Sequence, residues 1–443
     1  MKKHWLVPVL GSLVALSTAC SGGTGGTPAA AGTSAGKVEA VAKKVELRVM
    51  WWGDQKRADL TNQMLKKFEE KYPNIKVTSE FSPVSGYFDK LNTQLASQTA
   101  PDVFTLGSNL LDYANKEVLL DLNPYVGNAL NTADIDKTLL DYTSSKGKLY
   151  GVSIGANARS IIANTELFKK AGMPIPQDGW TWDDYAKVSK EVSQKLGKDY
   201  YGSYNFTSDY NAMEVYFRQN GKIVYDNESG KLGFEAKDAE AWFAYWDNLS
   251  KGGGLVTPEL QVSASSLDTS KSLVVTGKAA MSFVPSNLMK AMQGSTKDKL
   301  ALLQVPRGAK GTGLGLDSSQ GISAYAKTKY PKEAAMLINF WVNDPDAVKI
   351  LGNDRGIPVS SKMRDVLKQN ADATDQQIYD YIDRVSAAAK KEPVKPSYNI
   401  PGYNEFSKLL ETTGQQIAFG KKDVKKSADE LFTGTQQILS KNK

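Results

Sequence analysis

The 443-residue sequence contains one histidine, His4, and one cysteine, Cys20, and both lie close to the N-terminus. Nucleophilic catalysis by a Ser-His-Asp or Cys-His arrangement needs an imidazole, and a zinc site needs imidazole or thiolate ligands. The rest of the chain therefore excludes most hydrolase and metalloenzyme classes, and we expect no cofactor. Chemistry that uses carboxylates alone, such as the acid pair of a glycoside hydrolase, remains open.

Residues 1–19 have the layout of a secretion signal, because Lys2 and Lys3 precede an apolar run that is too short to span a membrane. Residues 16–20 (Leu-Ser-Thr-Ala-Cys) resemble the lipobox of bacterial lipoproteins, although the leucine lies one position further from the cysteine than usual. This resemblance implies that lipid on Cys20 anchors the protein to the outer face of the cell membrane. The alternative is an ordinary secretory signal followed by an incidental free thiol.

The charge of the remaining chain is mild. Loss of residues 1–19 removes two lysines and no acidic residue, so the formal net charge falls from +7 to +5. Because no basic stretch is interleaved with aromatic residues, we do not expect nucleic acid as a partner. Residues 20–44 are rich in Gly, Ser, Thr, Ala and Pro, which predicts a flexible tether or a disordered tail without a role.

Order is predicted to begin at residue 45. Residues 45–52 are typical of a strand, residues 60–72 of an amphipathic helix and residues 75–81 of a second strand. A further helix over 87–97 and a strand over 102–106 continue this alternation, which predicts a parallel sheet covered by helices. Ligands of such sheets bind beyond the carboxyl ends of the strands.

Later segments of the sequence indicate strands that cross between two lobes, and further helices. Short extended runs at 150–154 and 160–164 are interpreted as strands that cross between two lobes. Thr181 with Asp184 has the spacing of a helix capping box. A helix is predicted from Pro331, and the region from Lys362 onward favours helix.

The order of several motifs resembles the extracytoplasmic solute-binding proteins of ABC importers, in the family that includes maltose-binding protein. The motifs are the strand and turn at 45–53, the helix-to-strand passage at 68–77, the turns at 100–103 and 277–281, the segments 149–152 and 172–185, and the loop 352–358. The resemblance implies an α/β fold of two lobes joined by a hinge, each with a mainly parallel sheet flanked by helices. Lobe one would comprise residues 45–153 and 313–357, and lobe two residues 154–312 and 358–443.

The same resemblance implies a function. A monomer that is not an enzyme would bind an oligosaccharide between its lobes and deliver it to the permease subunits of the transporter. Residues 52–57 (Trp-Gly-Asp-Gln-Lys-Arg) most resemble a branch that binds rhamnogalacturonan and other pectic fragments. A neutral xylo- or cello-oligosaccharide, or another solute such as a polyol phosphate, is the first alternative, and a carboxylate-dependent polysaccharide-cleaving enzyme is the second.

A sugar pocket pairs an aromatic plane with polar side chains that bind the hydroxyl groups. Trp51 and Trp52 alternate across the first strand, so we expect Trp52 at the cleft, although both could lie in the core. Asp54 and Gln55 follow in the turn, where Asp54 is either a ligand contact or a helix cap. Arg57 could bind a uronate carboxylate in bidentate fashion or could lie on a solvated helix face.

The other candidate ligand residues follow later strands or lie in loops of the second lobe. Ser108 and Asn109 follow the third strand, and Asn157 lies on the crossing. Asp317 and Ser318 begin the return to lobe one, and Arg355 either contacts the ligand or braces its glycine-rich loop. The resemblance adds two further sets of residues. Tyr204, Asn205 and Tyr210 belong to a loop of lobe two that is expected to cap the sugar, and Ser286 and Asn287 lie where relatives often carry tryptophan.

Overall fold

The computed structural model describes residues 43–226, 229–264, 268–395 and 400–442. The predicted signal peptide, Cys20 and nearly all of the predicted tether lie outside the described residues. From Lys43 onward the chain forms one compact unit.

The strands of the described chain are short and are distributed over its whole length. They are β1 (Val45–Trp52), β2 (Ile75–Ser82), β3 (Val103–Leu106), β4 (Ser144–Ser145), β5 (Lys148–Leu149), β6 (Val152–Asn157), β7 (Arg159–Asn164), β8 (Tyr201–Ser203), β9 (Tyr225–Asp226), β10 (Lys231–Leu232), β11 (Ala279–Pro285), β12 (Leu300–Leu303) and β13 (Asp317–Ala324).

Helices alternate with these strands and make up most of the last hundred residues. They are α1 (Gln55–Lys71), α2 (Val84–Ala96), α3 (Leu110–Asn115), α4 (Lys137–Tyr142), α5 (Thr165–Lys170), α6 (Trp182–Leu196), α7 (Tyr210–Gln219), α8 (Ala236–Lys251), α9 (Pro258–Ser263), α10 (Leu288–Gly294), α11 (Pro331–Asn343), α12 (Pro345–Leu351), α13 (Ser361–Lys368), α14 (Ala373–Lys391), α15 (Tyr403–Ala418) and α16 (Val424–Lys441), with one 3₁₀ turn at Asn123–Tyr125.

Two main sheets form the framework. The first has the strand order β2-β1-β3-β13-β6 and the second the order β12-β7-β11-β8, and β4-β5 and β9-β10 are separate hairpins. The predicted α/β class is confirmed, and in each main sheet a single strand runs opposite to the others. β13 runs antiparallel to β3 and β6, and β7 runs antiparallel to β11 and β12. β13 runs in the opposite direction to its neighbours because it enters the first sheet from the edge at which β1, β3 and β6 end.

The passage from the first sheet to the second lies at Ala158, between the end of β6 and the start of β7. The division expected between residues 153 and 154 falls inside β6, which continues to Asn157. The backbone N–H and C=O of Ala158 are bonded to Ser286, at the end of β11. This crossing is therefore held by the second sheet on both of its backbone groups.

The core of the first sheet follows the period of two that β1 shows in its sequence. Leu47, Val49 and Trp51 point to one face and are fully buried, whereas Met50 packs on the opposite face with Tyr87 of α2. Both faces of this sheet are covered by helices, as the alternating pattern predicted. Because tryptophan is large, the burial of Trp51 stabilises the fold by roughly 3 kcal/mol.

Helix ends agree with the signals in the sequence. Asp54 caps α1, and Thr181 and Asp184 form the predicted capping box of α6. The regular part of α2 begins after non-helical backbone at Ser85 and Gly86, close to the predicted start at residue 87.

Candidate functional site

Several strands end at the edge of the first sheet where the chain passes to the second sheet. β1, β3 and β6 end there at Trp52, Leu106 and Asn157, and β13 begins there at Asp317. Side chains that follow these strand ends are consequently brought together. This is the edge at which a ligand site is expected in an α/β sheet.

A β-bulge distorts β13 at this edge, because its pairing register with β6 shifts next to Ser319. The Ser319 hydroxyl donates to the carbonyl of Gly155 at 3.0 Å and also contacts the carbonyl of Arg355. A Cβ atom at Gly155 would lie 1.9 Å from the Arg355 carbonyl oxygen. Only glycine therefore lets the 352–358 loop lie directly against β6.

A cavity of 560 Å³ lies between the two sheets and their helices. The helices α10 and α14 approach it from the side of β12, and α1, β13 and the 352–358 loop approach it from the other side. Its lining residues are Arg57, Asn157, Asn287, Lys290, Ala291, Ser319, Gln320, Asn353, Asp354, Arg355, Gly356, Ile357, Asp375 and Ile378. The volume lies within the range of about 300–1,000 Å³ that small-molecule sites occupy.

A smaller cavity of 200 Å³ adjoins it and shares Ser319 and Gln320 in its lining. Ser108 and Ser318 line this second cavity, together with Tyr142 at the end of α4. The β13 bulge therefore stands between two neighbouring cavities. The position of Ser108 and Ser318 beside this space agrees with their selection from the sequence.

Two arginines at the large cavity share one carboxylate. Arg57 Nε lies 2.8 Å from Asp354 Oδ2, and Arg57 Nη2 donates to the Asp354 carbonyl at 2.9 Å. Arg355 Nη1 lies 3.2 Å from the same Oδ2 atom. Among the described residues no acceptor is bonded to Nη1 of Arg57, so its guanidinium keeps an unused donor edge beside the cavity. Two guanidinium groups are thus paired with a single carboxylate.

Arg355 is the more buried of the two arginines, with 5% of its surface exposed. Its guanidinium lies over the Trp341 ring, 5.2 Å from the centroid, and Nη2 donates to Thr61 at 2.7 Å. Burial and the neighbouring charge of Arg57 lower the pKa of Arg355 to about 10. Its Nε is buried and has no hydrogen-bond partner within the described part of the chain. Arg355 therefore braces its loop, which is one of the two roles left open by the sequence.

At the α14 end of the cavity, one cationic side chain is paired with two acidic side chains. Lys290 of α10 contacts Asp375, and its Nζ lies 3.3 Å from Asp372. These two carboxylates, Asp375 first, raise the pKa of Lys290. Asn353 Nδ2 donates to Asp375 Oδ1 at 3.3 Å, so the 352–358 loop is bonded to α14 at this point.

The residues at the crossing divide into one that faces the cavity and one that holds the backbone. Asn157 Oδ1 is buried beside the cavity, and none of the described residues donates a hydrogen bond to it. Ser286 is fully buried, and its hydroxyl accepts from the Ala158 N–H at 3.1 Å. The predicted ligand contact of Ser286 is therefore replaced by a backbone contact, whereas Asn287 lines the cavity.

Charged side chains also lie on the other side of the crossing. Arg159 Nε is 3.0 Å from Asp317 Oδ2, and Arg218 Nη2 is 3.4 Å from Glu214 Oε1 on α7. Burial raises the pKa of Glu214, a shift that Arg218 opposes and Asp317 supports. The two pairs consequently act as one electrostatic group. Asp317, selected from the sequence, belongs to this group rather than to the lining of the cavities.

The residues of the turn after β1 mainly end that strand and cap α1. Asp54 Oδ1 accepts from the Arg57 N–H at 2.9 Å, and Gln55 bonds to the Asp59 side chain at 2.7 Å. Trp52 is half-buried, with its ring 5.2 Å from that of Tyr87, so it packs on α2 and lines neither cavity. Asn109 Oδ1 accepts from the Gly107 N–H at 3.1 Å. The ring of Trp52 thus contacts a helix, and its contact with a ligand stays a prediction.

The loop expected to cap a sugar is largely internal. Tyr204 is 2% exposed, and its hydroxyl accepts from the Leu273 N–H at 2.6 Å. Asn205 is bonded to Gln261 and lines a separate cavity of 370 Å³ beside α9 and α15. Tyr210 is buried, with its ring 5.3 Å from that of Tyr403. These side chains are held by the core and by α15, and a contact of their loop with a sugar stays a prediction.

Sequence reasoning missed several lining residues. Asn353 and Asp354 lie directly before Arg355 and line the same cavity, but only Arg355 of this loop was selected. Lys290 and Asp375 lie on helices whose sequence signals are amphipathic and polar. Nothing in that pattern distinguishes a lining residue from a solvated one. Gln320 could have been found only from the bulge.

Within the described ranges, no helix is long and apolar enough to cross a membrane. The same residues contain no group of His, Cys, Asp or Glu side chains suited to hold a metal ion.

Comparison with known proteins gives consistent matches. Residues 53–348 match the family model described as bacterial extracellular solute-binding protein. A binding protein of Brucella abortus (strain 2308) is 26% identical over 389 residues, which are 84% of this chain and 89% of the relative.

Two solved structures show the same fold. Extracellular solute-binding protein family 1 from Alicyclobacillus acidocaldarius is 27% identical with a TM-score of 0.81, and covers 90% of this chain and 99% of its own. A periplasmic oligogalacturonide binding protein from Yersinia enterocolitica is 25% identical with a TM-score of 0.76, with coverage of 90% and 99%. As the motifs in the sequence predicted, the chain belongs to the family of bacterial extracellular solute-binding proteins.

Proposed function

We propose that this protein binds an oligosaccharide carrying a uronate carboxylate, in the cavity between the two sheets, and delivers it unchanged to the permease of an ABC importer. The observation that carries the proposal is the pair Arg57 and Arg355, which share the carboxylate of Asp354. A second carboxylate, supplied by the ligand, would balance the remaining cationic charge. An arginine edge binds a carboxylate with two parallel hydrogen bonds.

The remaining lining suits a sugar. Asn157 supplies a buried acceptor that has no partner among the residues the structure describes, and Asn287, Ser319 and Gln320 add amide and hydroxyl groups. Such groups bind the hydroxyl rim of a carbohydrate. The similarity to the Yersinia oligogalacturonide binding protein supports an acidic pectic fragment as the ligand of this chain.

Release to a transporter requires two states of the protein. In our proposal each sheet is the core of one lobe, and the lobes move about the crossing at Ala158 and the strands that return to the first sheet. A ligand that contacts Arg57 from one lobe and α10 from the other stabilises the closed state, because only that state offers both contacts. Small-angle scattering curves with and without bound ligand should therefore differ, and superimposable curves at saturating ligand would contradict closure.

The lipid anchor is a further part of the proposal. Extracellular residence follows from the family, and lipid on Cys20 would keep the protein near its permease. Globomycin treatment of the producing cells should cause accumulation of the unprocessed precursor. A mature protein with a free Cys20 thiol in untreated cells would contradict the anchor.

The decisive experiment is calorimetry of the purified protein with matched sugars. The unsaturated rhamnogalacturonan disaccharide should give saturable heat, and its carboxyl-reduced form and cellobiose should bind at least about tenfold more weakly, since they lack the charge-assisted contact. Clear binding of cellobiose or xylobiose without binding of the uronate would instead support a neutral ligand. Incubation with rhamnogalacturonan should release no new reducing ends, and their appearance would support an enzyme.

A further inference from the structure

The cavity between the sheets is electrically polarised. At the end formed by α1 and the 352–358 loop, Arg57 and Arg355 share one carboxylate, so positive charge is in excess. At the end formed by α10 and α14, the single cation Lys290 is shared between Asp375, which lines the cavity, and Asp372, which is exposed outside the lining, so the charge of Asp375 is only partly balanced. A ligand that spans the cavity meets opposite charge at its two ends.

Asp375 is fixed at the negative end. Its side chain is 14% exposed and lines the cavity, held by Lys290 on one side and by the amide of Asn353 on the other. It lies in the first turn of α14, a helix of 19 residues, and the N-terminal end of a helix stabilises a negative charge. Asp375 therefore cannot withdraw from a ligand without losing these contacts.

The positive end is equally fixed. Arg355 is held by Trp341 and Thr61, and its buried Nε has no partner among the described residues. This cationic charge cannot be moved out to solvent. The distinction between the two ends is thus a property of the fold and not of mobile surface side chains.

We infer that Asp375 is a specificity-determining residue, which admits ligands with a single carboxylate and rejects those that bring a second carboxylate to α14. The inference rests on the proposed function. A carboxylate placed beside Asp375 is repelled, whereas the hydroxyl groups of a neutral sugar unit donate hydrogen bonds to it. The preferred ligand class is consequently an oligosaccharide in which acidic and neutral units alternate, rather than a chain made only of uronates.

The test compares two probes on three proteins. The probes are the unsaturated rhamnogalacturonan disaccharide, with one carboxylate, and digalacturonic acid, with two. The proteins are the natural chain, Asp375→Asn and Asp380→Asn. Asp380 lies on the same helix and pairs with Lys368 away from the cavity, so its variant removes the same charge elsewhere.

For the natural protein we expect the single-carboxylate probe to bind at least about tenfold more tightly, because like charges brought together lower affinity. In Asp375→Asn this ratio should fall by about tenfold, mainly through tighter binding of digalacturonic acid. In Asp380→Asn it should stay within about threefold of the natural value, since exposed charges contribute little.

The ratio of the two affinities separates an effect of charge from an effect on folding, because a structural defect would weaken the binding of both probes together. Tighter binding of digalacturonic acid to the natural protein, or an unchanged ratio in Asp375→Asn, overturns the inference and leaves the proposed function standing. Failure of both acidic probes to bind the natural protein, alongside binding of cellobiose, overturns the proposed function itself.

Discussion

Replacement of Arg57 by lysine tests the centre of the proposed site. Arg57→Lys keeps the positive charge but removes the planar donor fork that contacts both the side chain and the carbonyl of Asp354. In our proposal the unused edge of this fork binds the ligand carboxylate. Lysine can offer that carboxylate a single point charge, so one charge-assisted hydrogen bond is lost.

The expected loss of affinity follows from the surroundings of Arg57. Its side chain is 21% exposed, so solvent screens the interaction in part. A net hydrogen bond to a charged group contributes about 1.5–3 kcal/mol, and the screening favours the middle of that range, near 2 kcal/mol. This corresponds to roughly a 30-fold rise in the dissociation constant for the uronate disaccharide.

Calorimetry with the uronate disaccharide and with cellobiose measures the effect. The adjacent Lys56 is exposed and lies outside the cavity lining, so Lys56→Gln serves as the matched control and should change affinity less than about threefold. Arg57→Lys should unfold within a few degrees of the natural protein. Uronate binding by Arg57→Lys within about threefold of the natural value would refute the assignment of this residue.

Three further outcomes are expected. Gly155→Ala should destabilise the fold by about 3 kcal/mol or more in urea unfolding, because the new Cβ would lie 1.9 Å from a backbone oxygen; an unchanged midpoint would contradict the close approach. Asn157→Ala should weaken sugar binding by about fivefold at unchanged thermal stability, since a buried acceptor is lost, and equal affinity would remove Asn157 from the site. Partial burial favours a higher pKa for Glu80, but hydrogen bonds from Lys90 and Arg48 lower it overall. Its contribution is therefore present above the unfolded pKa of about 4.5 and lost as the pH falls through the folded pKa. Glu80→Gln should reduce the unfolding free energy by at most about 1 kcal/mol at pH 7 and by progressively less as the pH falls below the unfolded pKa, and a loss that does not change with pH would contradict the linkage.

The fold was predictable where the local pattern determines the structure. Alternate side chains of β1 from Val45 to Trp51 are buried on one face of the sheet, and its sequence alone indicates a strand that begins at Val45. The capping box of α6 is equally local, because Thr181 and Asp184 lie three residues apart. The direction of β13 was not predictable in this way. It depends on the edge from which the chain returns, which is a property of the whole topology.

The candidate site was predictable only in part, for a related reason. Residues at strand ends, such as Asn157 and Ser318, could be selected because a sheet gathers its strand ends at one edge. Asp375 reaches the same cavity from α14, and its partner Lys290 lies 85 residues earlier. Tyr204, in contrast, was selected from the sequence although its hydroxyl is bonded to Leu273 in the interior. Such pairings over long separations have no local signal.

The sharing of Asp354 also explains why a buried arginine persists beside the cavity. A buried cation without compensation would destabilise the fold, and the lowered pKa of Arg355 reflects that burial. Trp341, Thr61 and Asp354 together hold its guanidinium, while Asp354 also holds Arg57 at the cavity. Arg355 is thus a positioning residue that connects the α11 core to Arg57. Because Asp354 cannot neutralise both guanidinium groups, part of their charge remains available, and a ligand carboxylate is the group that best completes the arrangement.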